Sequence, residues 1–270
     1  MTNALEITFI ATKRSGHHAV LEWTIENRPG TYSYLNDIDP AAPVLKEAVY
    51  VSGRPEVARR ALASTPKSLL LLSYENRTLE EIGASEAFRH RQAEIGASGR
   101  RIAVLLVRDP VNAFASMVKI YEERPDTIAR KDLWYGLFWR AWLDHARAFL
   151  GETDHLASLG GETLKVSYNL FLRDAAHRSE IRRRLDLADD RPILHLSHLA
   201  RGGDTYFADR AHYRPDPDVL ERRWEAVGLV DDLRRPFADP EVFRLSQLYY
   251  EAVGMADRFQ PVLEQLRRPR

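Results

Sequence analysis

The chain of 270 residues contains no cysteine, which removes disulfides, thiolate metal ligands and cysteine nucleophiles at once. It has no excess of either charge, since 39 lysines and arginines balance 39 aspartates and glutamates. An anion-binding surface must then be a local concentration of charge, and a nucleic-acid partner is not expected. Long hydrophobic runs are missing too. The first, Ile7 to Ala11, meets Thr12, Lys13 and Arg14 at once, too short for a signal-peptide core or a membrane span. A cytoplasmic protein is the expectation. There is no internal repeat and no low-complexity tract. What is present is a 44% hydrophobic content, enough for one large core. Residues 1–270 are expected to form a single domain, loop-rich from about residue 192.

Apolar runs alternate with helical periodicity along the chain. "EITFIA", "SLLLL", "IAVLLV" and "ETLKVSY" read as strands. Helical patterns run from Ser15 to about Asn27, Leu79 to Ile95, Val111 to Glu123 and Asp132 to Leu150, and again over "AAHRSEIRRRLDL", Val219 to Val227 and Glu241 to Val253. Near-continuous apolar strands separated by helices predict an α/β, doubly wound parallel sheet of about four to five strands flanked by helices. After Pro192, "ARGGDTYFADRAHYRPDPD" has no clear period and is expected to be a long loop.

Ligands of such sheets sit outside the carboxyl ends of the strands, so the residues just past each run matter most. After the first come Lys13, Arg14, Ser15, Gly16, His17 and His18, leading into a helix N-terminus. Free amides and the helix dipole there favour an anion, and two basic side chains add to it. This combination suits a phosphate or sulfate group. After "IAVLLV" comes Arg108, then Pro110 in helix-starting position, with Ser116 eight residues beyond Arg108. Arginine at a strand end with a nearby serine can hold a second phosphate. Taken singly, each stretch is equally compatible with an ordinary strand-to-helix connection.

Taken together, "KRSGHH" and, about ninety residues later, "VRDPVNAFAS" resemble the family of sulfotransferases that use 3′-phosphoadenosine 5′-phosphosulfate (PAPS). "KVSYNLFLRD" and "ARGGD" extend the resemblance more weakly, over most of the chain from Ile7 to about Asp204. It implies a P-loop-like sulfotransferase architecture, with PAPS as co-substrate and no metal. Lys13, Arg14, Ser15, Gly16 and His17 would hold the 5′-phosphosulfate, with Arg14 steadying the bridging oxygen as the S–O bond breaks. Arg108 and Ser116 would hold the 3′-phosphate. Arg201, Gly202 and Gly203 match the late loop that closes on that phosphate, and Tyr168 a tyrosine near the adenine. The implied reaction moves a sulfuryl group to a hydroxyl or amine of a small-molecule or glycan acceptor.

Departures from the family pattern fall in the first loop and beside Tyr168. His17 and His18 stand where relatives carry two hydroxyl residues, and Asn169 where they carry a glutamate. His17 can serve as a substitute donor; His18 has no assigned task. Glu75, just past "SLLLL", is placed where relatives keep the residue that activates the acceptor, and a carboxylate there can take the proton. A surface glutamate paired with Arg77 is the plainer alternative. The remaining histidines lack metal-ligand spacing. Trp134, Leu137, Phe138, Trp142 and Phe149 recur at helical spacing, which predicts a core-facing helix. Two other activities remain open at this point. A nucleotide-kinase-type phosphotransferase shares the strand-loop-helix logic, although Thr12 to His18 lacks the G-x-x-x-x-G-K-[ST] pattern. A non-catalytic nucleotide-binding protein could use the same fold.

Overall fold

The computed structural model describes residues 1–47, 49–52, 59–123, 130–191 and 216–268. Its frame is a sheet of six strands: β1 (Asn3–Ala11), β2 (Tyr32–Asn36), β3 (Val49–Ser52), β4 (Lys67–Glu75), β5 (Ser98–Val107) and β6 (Glu162–Ser167). They lie in the order β3-β2-β4-β1-β5-β6. The five strands other than β3 are parallel to their neighbours, and β3 pairs antiparallel with β2 at the edge.

The α/β parallel sheet expected from the sequence is therefore present, with one more strand than expected and a reversed edge. Both unanticipated strands, β2 and β3, are short, of five and four residues. β2 reads "YSYLN", which has no continuous apolar run to announce it. The central strands are legible because both of their faces are buried. Alternate residues enter two separate cores. Leu70, Leu72 and Leu105 lie on one face, and Leu69, Leu71, Val104 and Leu106 on the other.

The helix α1 (His17–Glu26) covers the second face with Ala19, Val20 and Trp23. The first face is covered by α2 (Pro110–Glu123), α3 (Lys131–Leu150), and two C-terminal helices, Pro240–Ala252 and Ala256–Arg267. The last of these was not anticipated. In α3, Phe138 and Trp142 are buried in the core, with Trp134 and Phe149 packed against it, as the periodicity predicts. Burying side chains of that size contributes roughly 1.5–3 kcal/mol each.

The helix expected over Leu79 to Ile95 is instead three short ones, Leu79–Ala84, Glu86–His90 and Gln92–Ile95. Ser85 breaks the first by capping the second, accepting from the Phe88 amide at 3.0 Å. Among the described residues, no helix is long and apolar enough to cross a membrane.

Candidate active site

Strands β1, β2 and β4 end side by side, and the backbone just beyond each one is in an uncommon state. Of the four non-glycine residues with positive φ among the described residues, three are here: Arg14 (69°) after β1, Asp37 (52°) after β2 and Asn76 (54°) after β4. Strain of this kind persists only where surrounding contacts hold it. The Lys13 amide donates to Asn76 Oδ1 at 2.8 Å, and Lys13 Nζ to Asp37 Oδ2 at 3.1 Å, so one residue ties the three strand ends together. The Lys13 ammonium also lies 5.0 Å from the centre of the Trp134 ring.

Gly16 is the N-cap of α1, at φ 88° and ψ 11°. A Cβ there would come within 2.3 Å of Tyr168 Cζ, because the Tyr168 ring lies directly on the loop backbone. Only glycine satisfies both the conformation and the close approach. Ser15 does not cap the helix: α1 has no side-chain cap. Its hydroxyl is buried and has no hydrogen-bond partner among the described residues. The Ala19 amide donates to the Gly16 carbonyl at 3.0 Å, and the His17 and His18 amides before it, at the start of the helix, are donors that meet the buried hydroxyl here.

The second stretch folds back onto the first. Arg14 Nε donates to Ser116 Oγ at 2.9 Å. Arg108 Nη1 donates to the Arg14 carbonyl at 3.1 Å and Nη2 to the Leu220 carbonyl at 2.6 Å. Arg108 and Ser116 are both buried, and the Arg108 guanidinium lies 5.5 Å from the Tyr168 ring centre. Asp109, beside Arg108, stands just before α2. Its Oδ1 accepts from the Asn112 amide at 2.8 Å, and its Oδ2 accepts from Asn169 Nδ2 at 3.0 Å. Asn169 Oδ1 accepts from the Asp109 amide at 3.0 Å in return. Asn169, where the resemblance leads one to expect glutamate, thus fixes the turn that aims Arg108.

A third cation reaches this spot from an unforeseen place. Arg223, buried at the start of the helix Arg223–Val227, donates from Nη1 to Ser116 Oγ at 3.3 Å. Its neighbour Arg222 is exposed and pairs with Glu225 at 2.9 Å. Nothing in "ERRW" tells these two arginines apart, so sequence reading missed Arg223.

The proton-accepting region differs from the expectation for Glu75. The carboxylate does not pair with Arg77, which lies 3.5 Å from Asp39 instead. His17 Nε2 lies 3.2 Å from Glu75 Oε1, and His18 Nε2 lies 3.7 Å from the same oxygen. Burial alone would push the Glu75 carboxyl up, but the charge and hydrogen bond of His17, with His18 and Lys13 behind it, bring it down to about 2. Glu75 is therefore an anchored anion rather than a free base. His18 is lowered to about 3, by burial first and by His17 second, against the opposing pull of Glu75. It is neutral near pH 7, with 23% of its side chain exposed, whereas His17 is sealed in. His18 Nδ1 has no partner among the described residues.

The structure accordingly brings together Lys13, Arg14, Ser15, Gly16, His17, Glu75, Arg108, Ser116 and Tyr168. Tyr168 packs on the loop. Arg14 is turned toward Ser116. Arg201, Gly202 and Gly203 lie outside the described residues. Chemically, the arrangement offers an anion cradle joined to a histidine–carboxylate group.

No family model and no curated protein matches the chain. Among solved structures it is similar to mouse sulfotransferase SULT7A1 complexed with PAP, at 15% identity and a TM-score of 0.42, over 97% of this chain and 89% of that one. It is also similar to the sulfotransferase domain of the Synechococcus PCC 7002 olefin synthase, at 17% identity and a TM-score of 0.48, over 92% and 96%. Both likenesses name the family that "KRSGHH" and "VRDPVNAFAS" resemble. At such identities and TM-scores they assign neither activity nor ligand, and the site has to be judged on its own residues.

Proposed function

We propose that the protein is a sulfotransferase that moves the sulfuryl group of PAPS to a hydroxyl or amine of a small-molecule or glycan acceptor. The observation that carries this reading is the Arg14–Ser116 hydrogen bond. It joins the two stretches that the resemblance assigns to the 5′- and 3′-phosphates, far apart in sequence, into one cationic cradle.

The acceptor oxygen or nitrogen attacks sulfur while the bond from sulfur to the bridging oxygen breaks, releasing 3′,5′-bisphosphate. Lys13 and the first-turn amides of α1 meet the negative charge that develops on the leaving phosphate. The acceptor's proton passes to the imidazole of His17 in its neutral form, 3.2 Å from Glu75. Glu75 orients the imidazoles and balances the imidazolium that forms, in the manner of the carboxylate of a hydrolytic triad. This replaces the reading of Glu75 as the proton acceptor itself.

The test is ligand discrimination followed by turnover. Adenosine 3′,5′-bisphosphate at a hundred times its dissociation constant should stabilise the fold by about 2.7 kcal/mol, and AMP at the same concentration far less. Incubation with PAPS and a mixed acceptor panel should then release the bisphosphate in the presence of EDTA. Equal stabilisation by the two nucleotides would overturn the reading. Transfer from ATP that needs magnesium would establish the phosphotransferase instead.

A further inference from the structure

Three atoms with metal-ligand chemistry converge just beyond β4. One ligand atom from each of His17, His18 and Glu75 lies within 4.8 Å of the other two. The two histidine-to-carboxylate separations are 3.2 and 3.7 Å. A tetrahedral zinc ion with bonds of 2.0–2.1 Å holds its ligand atoms about 3.4 Å apart, so these separations lie close to what a bound ion requires. Two imidazoles and one carboxylate are also a donor set that suits zinc, copper, nickel or cobalt better than magnesium or calcium. It is the three-ligand set of catalytic zinc sites, which leave a fourth position for water.

The fold supplies these ligands on rigid supports. Glu75 ends a nine-residue central strand, and His17 and His18 open α1. The two imidazole centres lie 4.0 Å apart, with the ring planes tilted by 39°. Entry is from the His18 side, where the side chain meets solvent. The nearest lysine does not forbid a dication, since the Lys13 ammonium already pairs with Asp37 at 3.1 Å.

We infer that His17, His18 and Glu75 form a binding site for one transition-metal dication of the zinc class. Occupation is inhibitory, because the ion takes the imidazole nitrogen of His17 that would receive the acceptor's proton. The binding itself is independent of the sulfotransferase reading; only the inhibition rests on it.

The experiment uses the full chain, stripped with EDTA and free of nucleotide, titrated with Co²⁺ and followed by its visible absorption. One equivalent should produce the bands of a four- or five-coordinate nitrogen–oxygen site, and one equivalent of Zn²⁺ should abolish them, while Mg²⁺ in excess does not. H18A should weaken Co²⁺ at least tenfold, and so should E75Q. H18A removes a partly exposed ring, and unchanged melting and circular dichroism would show that the variant is folded. The absence of such bands, saturation only at several equivalents, or an affinity unchanged in both variants would overturn the site. If the metal binds as described but no transfer from PAPS occurs, the metal site stands and the sulfotransferase reading falls. If transfer occurs and one equivalent of Zn²⁺ leaves it unaffected, the inhibitory role is overturned.

Discussion

Arg14 and Ser116 are 102 positions apart in the chain and share a hydrogen bond of 2.9 Å between guanidinium Nε and hydroxyl oxygen. Arg14 sits in left-handed backbone, at φ 69°, and Arg108 holds its carbonyl from the other side. The loop after β1 and the helix after β5 are thereby locked together. Residues in direct contact should act non-additively, with coupling of about 0.5–3 kcal/mol. S116A is expected to weaken adenosine 3′,5′-bisphosphate about tenfold while leaving AMP nearly unchanged. R14A together with S116A should lose less than the sum of the single losses. Calorimetric titration of the four proteins measures this, and strict additivity would contradict a shared site.

Gly16 cannot be replaced without moving Tyr168. G16A places a methyl group 2.3 Å from the ring and forces an L-residue into left-handed backbone, which by itself costs about 1–2 kcal/mol. The expected result is a melting temperature lower by several degrees and loss of bisphosphate binding. G16A combined with Y168A removes the clash and should recover part of the stability. A G16A protein with unchanged melting would show that the loop has another conformation.

Glu75 and His17 should behave as one catalytic unit. E75Q keeps the size of the side chain but cannot balance an imidazolium, so turnover should fall about a hundredfold or more with bisphosphate affinity preserved. H17A should cost a similar factor, and the double variant little beyond either single one. Initial rates at saturating PAPS decide this. Independent, multiplying losses would separate the two residues.

Lys67 gives a pH dependence remote from the site. Its ammonium is buried and donates to the carbonyls of Leu62 at 2.7 Å and Thr65 at 3.0 Å. Burial lowers it from its ordinary 10.5 to about 8. Between those values the unfolded chain binds the proton more readily, so the contribution of Lys67 to stability rises with pH from about 8 to 10.5 and is flat below. The neutral amine still has two hydrogens for its two carbonyls. Denaturant melts of the protein and of K67M across this range should show the difference between them shifting in favour of lysine as pH rises. A constant difference would contradict the shift.

The sheet was legible in sequence where burial on both faces writes a continuous apolar run, as in "SLLLL" and "IAVLLV". It was not legible in β2 and β3, which are short and whose pairing at the edge is a tertiary event. The two cationic junctions were legible as well, because "KRSGHH" and "VRDPVNAFAS" each place cations where a strand meets a helix. Arg223 was not, since its burial depends on how the helix after residue 216 packs against α2.

The order of residues by itself determined that a helix N-terminus, cations and a glycine would follow β1, and that an arginine and a serine would follow β5. These are local consequences of periodicity, turn chemistry and charge. Only the tertiary structure decided that Arg14 would turn to Ser116, that Glu75 would be bound by two histidines instead of Arg77, and that the Tyr168 ring would close on Gly16. Each of those contacts joins segments brought together by the parallel crossovers of the sheet. Their distances and burial, which set the strength of an ion pair and the protonation of a carboxylate, exist only once the strands have paired.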